Sequence, residues 1–147
     1  MRILVSACLL GENCKYSGGN NYDPAVVDYV REQQVIPVCP EVLGGLPTPR
    51  CPAEIRQGVV INREGVSVDR EFRTGAAKAF AIATQQQADL AILQPRSPSC
   101  GAKEIYDGSF SGRKIPGQGV FAKMLLDAGI PVLDAGELPR PERGEEP

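Results

Sequence analysis

Four short apolar runs constrain this chain more than any other feature: Ile3 to Cys8, Val35 to Cys39, Leu90 to Leu93 and Ile130 to Leu133. Each is cut off by a turn-forming stretch rich in glycine, proline or polar residues, and each reads as a strand buried on both faces. Helical patterns separate them. Asp23-Pro24 offers an N-cap and a proline at the first helical position, with Val26, Val27 and Val30 giving an apolar face to about residue 33. Phe72 to Gln87 carries Phe72, Ala76, Ala79, Phe80 and Ala83 in helical register, and a third helix runs through Val120, Met124 and Leu125. Strand and helix in alternation produce a parallel sheet with right-handed crossovers. The expected fold is therefore α/β: one domain over residues 1–138, an open and mostly parallel sheet of about four strands, and helices on both faces. Pro37 removes a ladder donor from the second run and predicts an edge position for it.

Four further segments complete the reading. Val59-Val60-Ile61 and Val66-Ser67-Val68 flank Asn62 to Gly65 and predict a small peripheral β-hairpin. Gly44 to Pro52, with two glycines and three prolines, reads as a stiff loop, and Asp107 to Gly119 as a second, glycine-rich one. The Pro/Glu/Arg stretch 139–147 is expected to be a flexible tail.

The chain has 147 residues, five cysteines and no histidine. The missing histidine excludes Ser-His-Asp triads, Cys-His nucleophile pairs and every His-containing zinc site. Sixteen basic against eighteen acidic residues, a net charge of −2, provide no broad footprint for nucleic acid or an anionic membrane, so a small-molecule partner is expected. The first apolar run is too short for a secretory segment, and no stretch approaches the ~20 apolar residues of a membrane span. A cytoplasmic protein is expected, in which an odd number of cysteines points to metal binding or thiol chemistry rather than to a disulfide framework.

Cys8, Cys39 and Cys100 each close or follow a predicted strand, and open α/β sheets bind ligands outside the carboxyl ends of their strands. Any one of them alone reads as a small buried side chain filling space. Together, with loops shaped by glycine and proline around them, they favour a metal or cluster site. No C-x-x-C spacing supports a redox dithiol. Soft thiolates without histidine suit an iron–sulfur cluster better than a catalytic zinc. Three ligands would leave one iron open as a Lewis acid; a fourth from Cys14 or Cys51 would close the cluster and suit a non-catalytic redox or sulfur-carrier module. A metal-free reading, with Gly44-Gly45 and the Gly117 to Gly119 loop cradling phosphate, ranks last because neither matches a phosphate-loop fingerprint.

Four ordered motifs carry a family resemblance. Ser6-Ala7-Cys8-Leu9-Leu10-Gly11, Val38-Cys39-Pro40-Glu41-Val42-Leu43-Gly44-Gly45-Leu46-Pro47-Thr48-Pro49-Arg50, Ser97-Pro98-Ser99-Cys100-Gly101 and Ile105-Tyr106-Asp107-Gly108-Ser109-Phe110 resemble those of the thiouracil desulfurase family, formerly a domain of unknown function, to about Leu133. The resemblance implies a [4Fe-4S] cluster on Cys8, Cys39 and Cys100, an open iron that accepts the substrate's sulfur, and non-redox desulfuration of a free thiolated base or nucleoside. It maps the catalytic carboxylate to Glu41 and a catalytic serine to Ser97. Lys15-Tyr16-Ser17-Gly18 stands where the family usually shows Arg-Tyr-Asp-Gly, which leaves substrate choice open, and Cys51 stands where proline is common.

Overall fold

The computed structural model describes residues 1–138; the tail expected from Pro139 lies outside the described residues. Strand β1 (Arg2–Ser6) runs into a single 3-10 turn, Ala7–Leu10, and a long loop leads to helix α1 (Pro24–Tyr29). Then follow β2 (Gln34–Val38), the one-turn helix α2 (Pro40–Leu43), β3 (Ala53–Arg56), β4 (Val59–Asn62) and the long helix α3 (Asp69–Gln85). The chain continues through β5 (Leu90–Leu93), β6 (Glu104–Tyr106), β7 (Lys114–Pro116), α4 (Val120–Asp127) and β8 (Val132–Asp134), and ends in a 3-10 turn, Ala135–Glu137.

Four strands form the parallel sheet, in the order β2-β1-β5-β8. β2 is the edge strand that Pro37 predicts, with Pro37 opposite Val5. Side chains alternate across the pleat. Leu4, Ile36, Ala91 and Leu93 face Ala76, Ala79 and Ala83 of α3 and Phe121, Ala122 and Leu125 of α4. Ile3, Val5 and Ile92 face Val26 and Val30, at and beside α1, with Leu9 and Leu138. Both faces are covered, which is why these strands read as continuous apolar runs.

α1 starts as its sequence dictates, with the Asp23 side chain accepting from the Ala25 amide at 3.0 Å and Pro24 in the first turn. α3 begins one turn before Phe72, where Asp69 and Glu71 complement the helix dipole and Asp69 Oδ1 accepts from Val60 N at 3.0 Å. Among the described residues no helix is long and apolar enough to cross a membrane.

The expected hairpin is present as a short pairing around Gly65 at φ 83°: Asn62 N donates to Val66 O at 2.8 Å, Val68 N to Val60 O at 3.0 Å, and Ile61 bridges Ser67. On its other side β4 pairs with β3, a strand not expected from the sequence, across a two-residue turn in which Gln57 (φ 50°) and Gly58 (φ 83°) are both left-handed. Such turns match the twist of the flanking strands. A second antiparallel pair, β6–β7, lies in and beside the glycine-rich loop. The two hairpins are clamped together: Glu54 Oε1 accepts from Gly108 N and Phe110 N at 3.0 Å each, and Arg56 Nε and Nη2 donate to the Gly108 carbonyl at 3.0 and 2.6 Å.

Asp134 closes the sheet's carboxyl end. It is buried, its Oδ1 accepts from Ala102 N at 3.1 Å, and with Glu137 it forms a capping box. Asp134→Ala should cost ~1–3 kcal/mol of stability by orphaning a buried amide, whereas Asn keeps the acceptor. Burial also pushes the Asp134 carboxyl above its usual range. The stability its protonated form contributes is present below the unfolded-state pKa and lost as pH rises through the folded-state value. Asp134→Asn should therefore gain on the wild type between pH 3 and pH 7, as measured by urea unfolding at both.

Candidate active site

β1 connects outward to β2 on one side, and the chain then crosses to β5 on the other, so the sheet's topological switch point lies between the carboxyl ends of β1 and β5. Ser6 Oγ joins these ends by accepting from Gln94 N at 3.0 Å. Here a cavity of about 440 Å³ opens. Cys8 from the turn after β1, Cys39 from the N-cap of α2 and Cys100 from the loop after β5 all line it, together with Cys14, Glu41, Arg50 and Ser97. All five residues singled out from the sequence thus meet in one place. Cys51 and Ser17 are not among its walls, whereas Lys15 and Tyr16 are.

Cys14 enters as a fourth thiol. Its S–H bonds toward Cys39 and Cys8, which holds its own proton far above the usual thiol range. The same bonds pull Cys8 and Cys39 down to about 7 against the burial that opposes them. Asn21 Nδ2 adds a donor to Cys8 Sγ at 3.5 Å. Cys100 is buried, and desolvation pushes its thiol up. Among the described residues no three Cys, Asp or Glu side chains close tightly enough to hold a single metal ion.

Cys100 owes its position to α4. The orphan amides of that helix's first turn are satisfied by the loop's own carbonyls: Val120 N donates to Pro98 O at 2.8 Å and Phe121 N to Ser99 O at 2.9 Å, and just before them Gly119 N donates to Gly101 O at 2.8 Å. A side chain at Gly119 would put its Cβ 2.5 Å from the Ser99 carbonyl carbon, so only glycine permits this approach. These contacts also remove the phosphate-cradle reading, since the Gly119 amide is occupied and Gly44 is pressed against the α3 backbone.

Ser97 sits in the same loop, and its Oγ accepts from Ser99 N at 3.0 Å and Cys100 N at 3.1 Å. With both lone pairs engaged, the hydroxyl has only its proton left to offer, so it is equipped as a donor rather than as a nucleophile. Glu41 lies in the first turn of α2. Its Oε1 is held by Arg50 Nε at 3.0 Å and Nη2 at 2.9 Å, and its Oε2 by Ser99 Oγ at 3.1 Å. Arg50 and Ser99 lie within the quoted motifs, but their partnership with Glu41 spans 9 and 58 residues and has no local signal.

Comparison with known proteins identifies the family. The family model described as 2-thiouracil desulfurase matches residues 3–137. The chain belongs to the 2-thiouracil desulfurase family. A curated relative, the uncharacterized protein YbbK of Bacillus subtilis (strain 168), is 41% identical over 146 residues, covering 92% of this chain and 97% of that protein. A solved structure, titled [4Fe-4S]-dependent thiouracil desulfidase TudS (DUF523Vcz), superposes with a TM-score of 0.88 at 39% identity, covering 94% of this chain and 93% of the other. The desulfurase fold and the parallel sheet read from the sequence are thus shared with a solved relative. On that fold the two clamped hairpins bring Glu54, Tyr106 and Phe110 to the wall of the same cavity.

Proposed function

We propose that this protein removes sulfur from a thiolated nucleobase or nucleoside of the 2-thiouracil kind, with Cys8, Cys39 and Cys100 holding a [4Fe-4S] cluster. The observation that carries the reading is the meeting of three thiols, from the ends of three neighbouring parallel strands, beside a clamped carboxylate in one cavity. The donor set fits the cluster: three soft thiolates without histidine line one cavity, the ligand type that iron–sulfur groups take. The similarity to a desulfidase titled [4Fe-4S]-dependent supports the same cofactor here. When bound, such a cluster would supply a Lewis-acidic iron, left open by three protein ligands, for the substrate's sulfur.

The chain's own residues do the rest. Glu41 takes a proton from water as its oxygen adds to the thiocarbonyl carbon, and that proton returns as the C–S bond breaks, so that sulfur departs as hydrogen sulfide and a carbonyl remains. No electron transfer is needed. Ser97 donates its hydroxyl proton to the substrate and orients it. A cavity of about 440 Å³ suits a single base or nucleoside rather than a nucleic acid strand. Five free thiols support a reducing, cytoplasmic setting for this activity.

Anaerobic reconstitution tests the proposal: the loaded protein should be brown, contain about four irons and four sulfides per chain, and release sulfide from 2-thiouracil. A colourless protein, or a loaded one that leaves thiolated bases unchanged, would overturn it. The closeness of Cys14 to Cys8 and Cys39 favours one alternative, a closed four-cysteine module without catalysis. On our reading Cys14→Ser retains wild-type iron and sulfide counts and still releases sulfide, whereas Cys39→Ser loses the cluster. Equal iron loss in both variants would favour the closed module.

A further inference from the structure

We infer that Arg50 and Ser99 are positioning residues that lock the Glu41 carboxylate in one orientation and leave Oε2 as its proton-accepting atom. The inference rests on the reading of Glu41 as the base.

Arg50 makes hydrogen bonds from all three of its side-chain nitrogens. Nε donates to Glu41 Oε1 at 3.0 Å, and Nη2 reaches Glu41 Oε1 at 2.9 Å and the Cys14 carbonyl at 2.8 Å. Nη1 donates to the Pro47 carbonyl at 3.2 Å and to Thr48 Oγ1 at 3.0 Å. A guanidinium has five N–H donors; four of these make hydrogen bonds, and Nη2 also meets the Glu41 carboxylate as an ion pair. Its backbone is pinned too, with Arg50 N donating to Tyr16 O at 2.7 Å. The side chain is 6% exposed, so this geometry is shielded from water. One guanidinium therefore fastens α2, the proline-rich loop and the loop after β1 to one another.

Ser99 closes the clamp from the other side. It is fully buried, one residue before Cys100, and its backbone carbonyl is held by the first turn of α4. Its hydroxyl cannot swing to water, and it donates to Glu41 Oε2 at 3.1 Å. A carboxylate offers about four lone-pair sites. Oε1 takes the Nε hydrogen bond and the Nη2 ion-pair contact of Arg50, whereas Oε2 meets Ser99 Oγ alone, so Oε2 is the less encumbered acceptor. Glu41 lines the cavity, and the acceptor it retains is fixed relative to Cys39 through α2 and to Cys100 through Ser99. Misplacing a reacting group by about 1 Å can cost ~100-fold in rate, which sets the scale of what this clamp protects.

The test is a mutant cycle on the cluster-loaded protein with kcat, KM and iron content as readouts. Ser99→Ala and Arg50→Lys, the latter keeping the charge but losing the fork, should each lower kcat by ~10–100-fold while KM and iron content stay within about twofold of the wild type. In a Glu41→Gln background the same two changes should have almost no further effect on the residual rate, because there is no base left to misplace. Losses that persist undiminished in that background would show a general structural role and overturn the inference. Wild-type kcat in both single variants, with Glu41→Gln impaired, overturns the clamp alone. A Glu41→Gln protein at the wild-type rate overturns the reading of Glu41 as the base, and the clamp with it. Should Arg50→Lys fail to fold, Ser99→Ala decides, since it removes one buried oxygen and leaves the guanidinium network whole.

Discussion

Glu41→Gln is expected to lower sulfide release by ~10²–10⁴-fold, the usual contribution of a positioned general base, while leaving fold and iron content unchanged. The substitution is close to isosteric, and the surroundings tolerate it. The amide oxygen can accept from Arg50 where Oε1 does now, and the amide nitrogen can donate to Ser99 Oγ, which as a hydroxyl is able to reverse its role. What disappears is basicity. Stopped-flow detection of sulfide from the loaded variant, alongside iron counts and a melting curve, separates these properties. A rate within threefold of the wild type would move the proton-transfer role elsewhere in the cavity, and the titratable side chains that line it with Glu41 include only Cys, Lys, Arg, Tyr and Glu54.

Gly75→Ala should destabilise the protein by ~3 kcal/mol, the upper range for overpacking, and empty the site as well. α2 and α3 meet backbone to backbone: a Cβ on Gly75 would lie 1.8 Å from the Pro40 carbonyl oxygen, and one on Gly44 would lie 2.0 Å from the Glu71 carbonyl oxygen. Neither neighbour is a side chain that could turn away, so the helices must separate. α2 carries Glu41 in its first turn and Cys39 at its N-cap, and its displacement takes both with it. At about 2–4 °C per kcal/mol for a domain of this size, the melting temperature should fall by ~10 °C. Iron bound after reconstitution should fall in step. An unchanged melting temperature together with full iron content would contradict the close approach of these helices.

Much of this architecture is legible in the residues because the signals are local. The four apolar runs, the Asp23-Pro24 cap, Pro37 at the edge and the register of Phe72, Ala76, Ala79 and Ala83 each depend on neighbours a few positions away, and each appears where the sequence puts it. The convergence of Cys8, Cys39 and Cys100 is legible one level higher, through the rule that strand ends of a parallel sheet share a crevice. What escapes is non-local or too short for a period to show. β6 and β7 have three residues each, α2 has one turn, and β3 joins β4 only because Gln57 accepts a left-handed backbone in the turn between them. Cys14 reaches Cys8 and Cys39 through the shape of a loop, and Arg50 and Ser99 reach Glu41 from different loops. No spacing in the chain encodes such pairings.

The mortise between the Cys100 loop and α4 has a bearing on how this scaffold can change. Because the carbonyls of Pro98, Ser99 and Gly101 are each taken by an amide at the head of that helix, side chains nearby can vary only within a mould already set by main chain. Other parts of the lining are built differently: Tyr106 and Phe110 ride on a hairpin fastened chiefly by Glu54 and Arg56, and Lys15 and Tyr16 ride on the loop after β1, tied to Arg50 through the Tyr16 carbonyl. New substrate preferences can therefore be written on that rim by exchanging a few side chains, without renegotiating the sulfur anchors beneath it.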